Sequence, residues 1–348
     1  MPPTRALTLV VPGSIESRTG GYAYDRRIAV ELRRRGWTIE VRELDGSFPR
    51  PTSSALAGAA RVLADIPGGS TVLVDGLALG AMPSEIEREA PRLQIVALVH
   101  MPLAAEVGIG SDIAARVEAS ERRALGAASL VVVTGRGTVS ALERYGVERH
   151  RMAIVEPGTD RAPVARGSSG SPLELLSVAT LNPGKGHEIL IGALASLPER
   201  GWRLTCAGSL ERHPTTVERV RAIVREKGLD GHVSLAGELD DASLAAAFDR
   251  ADLFVLATLR ETYGMAVAEA LAHGLPVIST TTGAIPDLVG DHAGLLVPPG
   301  DDAALAAALT RVMSDARLRD RLADGARRRR DRLPTWEEAA GKMAAALE

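Results

Sequence analysis

Short β-branched or apolar runs alternate with Ala/Leu/Arg-rich stretches along almost the whole chain, a pattern that admits little besides parallel sheets joined by crossover helices. In the first half the strand-like runs are Leu7–Val11, Thr38–Glu43, Thr71–Val74, Ile95–Val99 and Leu130–Thr134, with helices expected at about 22–35, 53–65 and 111–126. From Gly158 the pattern gives way to GTDRAPVARGSSGSP, which has the Gly/Ser/Pro composition of a linker. A second alternation follows. Its strands are Leu173–Ala179, Trp202–Ala207, Val233–Ala236, Leu253–Leu256, Pro276–Ser279 and Gly294–Val297, with helices at about 187–196, 214–227, 241–249, 265–273, 301–313 and 315–331. At about 150 residues per domain, 348 residues make two domains. The expected α/β architecture is two Rossmann-like domains facing each other across a cleft, spanning 1–164 and 165–333. A last helix, 334–348, contains Trp336 and is too short to stand alone, so it is expected to pack back on the first domain.

Composition removes several function classes. With 41 basic and 44 acidic side chains the net charge is −3, so no excess of positive charge drives binding to nucleic acid or anionic lipid. A single cysteine, Cys206, excludes an internal disulfide and fits a reducing compartment. The apolar stretch Ala6–Val11 is interrupted by Thr8 and ended by Pro12-Gly13, which reads as a first strand rather than a signal peptide. No run approaches the ~20 apolar residues of a membrane helix, and a cytoplasmic protein is expected. The arginine runs Arg33–Arg35 and Arg327–Arg330 could meet a membrane surface or a phosphorylated acceptor, but read better as solvated helix ends. No Gly-x-Gly-x-x-Gly follows a strand, no Walker A loop precedes Lys185, and neither His-Glu-x-x-His nor Asp-x-Asp occurs. The seven histidines show no metal-ligand spacing, so neither a metal site nor a cofactor is expected.

The most informative segment is Glu261-Thr-Tyr-Gly264-Met265-Ala-Val-Ala-Glu269, which leaves the strand Leu253–Leu256 and enters a helix. Gly264 permits close backbone approach at the helix start, where free N–H groups and the dipole favour an anion. A carboxylate deeper in the helix can accept both hydroxyls of a ribose, while the earlier one points at whatever lies beyond the phosphates. Solvated helix-face charges are the plainer alternative for both glutamates. In Thr180-Leu-Asn-Pro-Gly184-Lys185-Gly186, one of only three lysines stands between two glycines and can place a point charge against a phosphate. Alone, that segment reads more safely as a turn and helix cap with a solvent-facing lysine; it does not stand alone. Gly20-Gly21 after the first strand exposes backbone N–H groups at a helix start, and His100 stands at the carboxyl end of Ile95–Val99, where a sheet of this kind binds ligands.

Taken together, Gly20-Gly21, His100, Lys185 and the Glu261/Glu269 pair with seven residues between them resemble the retaining glycosyltransferases of the GT-B fold, family 4 (group 1). Gly283-Ala-Ile-Pro286-Asp287, Gly294-Leu-Leu-Val-Pro-Pro299 and Trp336-Glu337 extend the likeness to nearly the whole chain, more specifically in the second half than in the first. The resemblance implies that Glu269 holds the ribose of a nucleotide sugar and that Glu261 contacts the transferred sugar, near the Gly264 and Met265 amides. It implies that Lys185 binds the diphosphate, that Gly20 and Gly21 offer it amides from the other domain, and that His100 faces the donor sugar. His100, Lys185 and Glu261 are thus the catalytic candidates. Two departures stand out: Thr180 takes the place of the family's usual arginine five residues before the lysine, and Asp287 that of a glutamate.

The implied reaction moves a sugar from a nucleoside diphosphate sugar to an unidentified hydroxyl acceptor, with retention and without metal. A UDP-sugar is the default donor and GDP-mannose the second choice. With no evident enzymic nucleophile, same-face attack is favoured over a covalent route through a carboxylate. A nucleotide-sugar epimerase and a non-catalytic two-domain sugar-binding protein remain alternatives.

Overall fold

The computed structural model describes residues 5–348, which form two compact units: one up to Gly158 together with Thr335–Glu348, the other Thr159–Pro334. In the first unit the chain runs β1 (Ala6–Pro12), α1 (Gly20–Arg34), β2 (Thr38–Leu44), α2 (Ser53–Ala64), β3 (Thr71–Asp75), α3 (Gly76–Leu79), α4 (Pro83–Glu89), β4 (Gln94–Val99), α5 (Ser111–Ala127), β5 (Leu130–Val133), α6 (Arg136–Arg144) and β6 (Met152–Ile154). The second unit runs β7 (Leu173–Val178), α7 (His187–Ala195), β8 (Trp202–Ala207), α8 (Pro214–Glu226), β9 (Val233–Gly237), α9 (Asp241–Arg250), β10 (Leu253–Leu256) and α10 (Met265–Ala272). It continues with β11 (Val277–Thr280), α11 (Ile285–Val289), β12 (Gly294–Val297), α12 (Asp302–Ser314) and α13 (Ala316–Arg330), and α14 (Trp336–Leu347) then rejoins the first unit.

Each unit is built on a six-stranded sheet whose paired strands are all parallel. The first has the order β2-β1-β3-β4-β5-β6 and the second β12-β11-β10-β7-β8-β9. Helices cover both faces, so central strands such as Val72–Val74 and Leu253–Leu256 are apolar without alternation. In each sheet the order reverses once, between β1 and β3 and between β7 and β10. Neighbouring crossovers depart to opposite sides there and leave a crevice at the carboxyl ends of the strands.

Most strand limits agree with the sequence pattern to within one residue. Of the elements it misses, α3, α4, α11 and β6 are short, β6 with three residues and α3 with four, too few to display a period; α6, with nine residues, is missed although it is as long as α7. The first boundary falls at Gly158, earlier than the expected 164, because the linker-like stretch is bound to the second unit. Ala165 N–H donates to His273 O at 2.8 Å, Arg166 N–H to Asp249 O at 2.9 Å and Ser168 N–H to Asp252 Oδ1 at 3.0 Å. The arginine runs are only partly solvated. Arg33 donates to Ile39 O, Arg35 to Glu337 O, Arg329 to Leu288 O and Arg330 to Ala162 O, so most of these charges tie chain segments together. Among the described residues, no helix is long and apolar enough to cross a membrane.

The helix α14 opens with a capping box, Thr335 to Glu338, and lays Trp336, Ala339, Ala340 and Met343 against the first unit. Trp336 is 5% exposed; it meets the Tyr24 ring edge-on at 5.8 Å, with the Arg27 guanidinium 5.5 Å from its centroid. Trp336→Ala is therefore expected to cost the first unit about 3–5 kcal/mol. Urea unfolding of that unit, followed through Trp37, measures it.

Candidate functional site

In the second unit, Lys185 and Glu261 belong to loops that leave β7 and β10, the two strands on either side of the reversal. The loops are sewn together by main chain. Leu259 N–H donates to Gly184 O at 2.8 Å, and the fully buried Thr258 hydroxyl lies 3.0 Å from Gly184 O and 2.9 Å from Arg260 O. Lys185 ends a single 3-10 turn, Pro183–Lys185, and Gly186 turns the chain into α7 at φ 67°. A Cβ on Gly186 would lie 2.0 Å from Ala257 O, so glycine is required there on two counts.

This arrangement brings Lys185 Nζ to 2.6 Å from Glu261 Oε2, while Glu261 Oε1 accepts from Thr262 N–H at 3.1 Å. The side chains are 26% and 17% exposed, so the pair is shielded yet reachable. Gly264, at φ 100°, enters α10, whose Ncap position offers no side-chain acceptor. The Met265 end of that helix therefore keeps unsatisfied N–H groups to offer an anion. Glu269 lies on the same helix, half-buried, and burial followed by the charge of Asp160 pushes its carboxyl up to about 7. Thr180 is half-buried just after β7, its carbonyl accepting from Asn182 N–H at 2.9 Å. Behind Lys185 stands His187, buried, with neither ring nitrogen hydrogen-bonded; burial and then the Lys185 charge pull it down to about 4, so it is neutral at pH 7.

In the first unit, Gly20 and Gly21 open α1 behind Thr19, which makes no side-chain cap. A Cβ on Gly21 would lie 3.3 Å from His100 Cδ2, so this glycine lets the helix pass close to the imidazole. His100 is the first residue after β4. Two buried carboxylates face it that the sequence pattern does not single out: His100 Nε2 is 3.1 Å from Asp25 Oδ1 and 3.5 Å from Asp75 Oδ2. Asp75 closes β3 and caps α3 through Leu77 N–H at 2.7 Å. Burial and then the Asp25 charge push Asp75 up to about 7, against the pull of His100. For His100, burial favours the neutral ring, but Asp25 and then Asp75 outweigh it and raise the pKa. These three residues form the one cluster among those described whose atoms could surround a metal ion, a grouping that histidine spacing alone does not disclose.

Residues 160–329 match the family described as "Glycosyl transferases group 1". Over 333 residues the chain is 27% identical to "MMP alpha-(1->4)-mannosyltransferase" of Mycolicibacterium hassiacum, covering 89% of this chain and 79% of that protein. Over 241 residues it is 30% identical to "D-inositol 3-phosphate glycosyltransferase" of Xylanimonas cellulosilytica, covering 64% of this chain and 57% of that one. Anabaena Alr3699/HepE, solved in complex with UDP and glucose, superposes with a TM-score of 0.79 at 18% identity, covering 98% of this chain and 99% of that one. The fold is GT-B.

Gly186→Ala tests the local geometry apart from any ligand. The strained φ and the clash with Ala257 O are expected to cost about 2 kcal/mol or more. Thermal unfolding of the second unit reads the loss, and a wild-type transition would show that the two loops do not meet as described.

Proposed function

With residues 160–329 belonging to the glycosyl transferases group 1, we propose that this chain moves a sugar from a nucleoside diphosphate sugar to a hydroxyl acceptor, with retention of configuration and without a metal ion. The observation that carries the reading is the Lys185–Glu261 pair at the reversal of the second sheet, followed directly by α10 and Glu269. A UDP-sugar is the preferred donor, in keeping with the UDP and glucose held by the Anabaena protein. GDP-mannose comes second.

In this reading Glu269 accepts the ribose hydroxyls, Lys185 takes the diphosphate, and the Gly264 and Met265 amides support it from the helix start. Before a donor binds, Lys185 and Glu261 neutralise each other. An incoming diphosphate draws the ammonium to itself, leaving Glu261 to accept from hydroxyls of the transferred sugar. Gly20, Gly21 and His100 are assigned to the donor as well, His100 to the sugar. In the reaction the bond from the anomeric carbon to the diphosphate oxygen breaks while the acceptor oxygen bonds to that carbon on the same face. The acceptor proton passes to the departing diphosphate. Fixed cations and dipoles stabilise the charge that builds on the leaving group, the term that usually dominates such sites. With Glu261 engaged by hydroxyls of the transferred sugar, this route is favoured over a covalent glycosyl intermediate.

Nucleotide release from UDP- and GDP-sugars, scored with candidate hydroxyl acceptors, tests the proposal. Lys185→Ala is expected to weaken donor binding at least tenfold, and Glu261→Ala to lower kcat more than it raises KM. Wild-type kinetics from both would defeat the site assignment. Thr180→Arg is expected to raise turnover by restoring a second cation beside the leaving group; loss of donor binding would mean that the phosphates lie elsewhere. Because ribose hydroxyls donate to an ionised carboxylate, binding should release a proton from Glu269. UDP affinity is then expected to rise with pH through the Glu269 pKa of about 7 and to flatten in Glu269→Gln. Equilibrium dialysis across that range measures it.

A further inference from the structure

The proposed reaction leaves two buried carboxylates of the first unit without a task. Asp25 lies on α1, Asp75 ends β3 and His100 follows β4, so the three arrive from different elements around the reversal of the first sheet. Both carboxylates are buried, whereas 22% of the His100 side chain is exposed. Taking such groups out of water is costly, and two neighbouring carboxylates cannot both ionise cheaply without a cation or a shared proton.

The titratable groups that face the ring are Asp25 and Tyr24 from α1 and Asp75 from β3. The Tyr24 ring lies 5.2 Å away and nearly perpendicular to the imidazole, while its hydroxyl donates to Val155 O at 2.8 Å. The imidazole is the group facing both carboxylates that can take a positive charge. Its Nε2 lies within reach of both carboxylates, at 3.1 Å from Asp25 Oδ1 and 3.5 Å from Asp75 Oδ2, which leaves Nδ1 as the ring nitrogen not engaged by them. Asp75 is fixed in turn by Leu77 N–H, and Gly21 leaves room for the ring to settle.

Building on the transferase reading, we propose that Asp25 and Asp75 are positioning residues that hold His100 as an imidazolium, with Nε2–H on the carboxylates and Nδ1–H presented to an oxygen of the reacting sugar. A charged donor held in one orientation makes a stronger and better aimed hydrogen bond than a neutral, rotating one. The same cluster couples the ring's charge to the Asp75 proton, so the group titrates as a unit.

Two-bond 1H–15N correlation spectra of the full chain test this, with the His100 resonances assigned by their loss in His100→Gln. The expected result is an imidazolium pattern persisting above the ordinary histidine midpoint of about 6.5. Asp25→Asn should lower that midpoint by at least one pH unit, with Asp75→Asn moving it less; if Asp25→Asn fails to fold, Asp75→Asn carries the test. In turnover, Asp25→Asn should lower kcat about tenfold or more with donor KM within about twofold, and move the alkaline limb of the pH profile down with the ring midpoint. A ring neutral at pH 7, or one whose signals shift stoichiometrically with added zinc, would overturn the proposal. Unchanged kcat in Asp25→Asn would overturn it as well. Should the ring titrate as expected while no nucleotide sugar is consumed, the transferase reading fails and the assignment of the cluster's charge stands.

Discussion

The placement of both candidate charge clusters in this chain follows from the single reversal of strand order in each parallel sheet. Crossover helices on the two sides of a reversal diverge, and only there do the loops leaving adjacent strands meet without a helix between them. In the second sheet those loops carry Lys185 and Glu261, and their main chains are bonded to each other before any side chain is considered. In the first sheet, Asp25 comes from the helix after β1 and Asp75 from the end of β3, the strands of the reversal, and His100 from the segment after β4. Two strand orders thus place two sets of charges at equivalent edges.

Electrostatics at these edges departs from ordinary surface behaviour in a consistent direction. Glu269 and Asp75 are both pushed up to about 7, burial being the larger cause in each and a neighbouring carboxylate the second. A carboxyl with that titration can exchange its proton against a ligand at neutral pH, which a surface glutamate cannot. His187 moves the opposite way, to about 4, so the residue beside the lysine loop adds no competing positive charge. Of the three lysines in the chain, one is held between two glycines and against a glutamate, with Thr180 earlier in the same loop. Glu121 shows that burial alone does not make a site. Pushed up to about 8, it is spent holding Leu103 N–H at 3.0 Å and shaping the segment after His100.

Much of the fold was legible because its strands are short, apolar and bounded by turn residues. Trp202–Ala207, Leu253–Leu256 and Gly294–Val297 agree with the pattern at both ends. The Glu261–Glu269 segment and the lysine turn were legible too, since each is a local motif at a strand-to-helix junction. Their contact was not, because it depends on β7 and β10 being neighbours, and strand order leaves no mark on either strand. Asp25 and Asp75 were hidden for the same reason. Within Tyr-Asp-Arg-Arg, Asp25 looks like one more charge on a helix face, and Asp75 before Gly76 looks like a turn residue. The available signal was slight: a lone carboxylate closing an otherwise apolar strand at the ligand-binding end of a sheet.

The most direct test of the central claim is calorimetric titration of the metal-free protein with UDP, GDP and ADP, alongside Glu269→Ala. Tight binding that distinguishes the bases, needs no metal and disappears in the variant is expected. Absence of binding to all three, or equal binding by the variant, would contradict it.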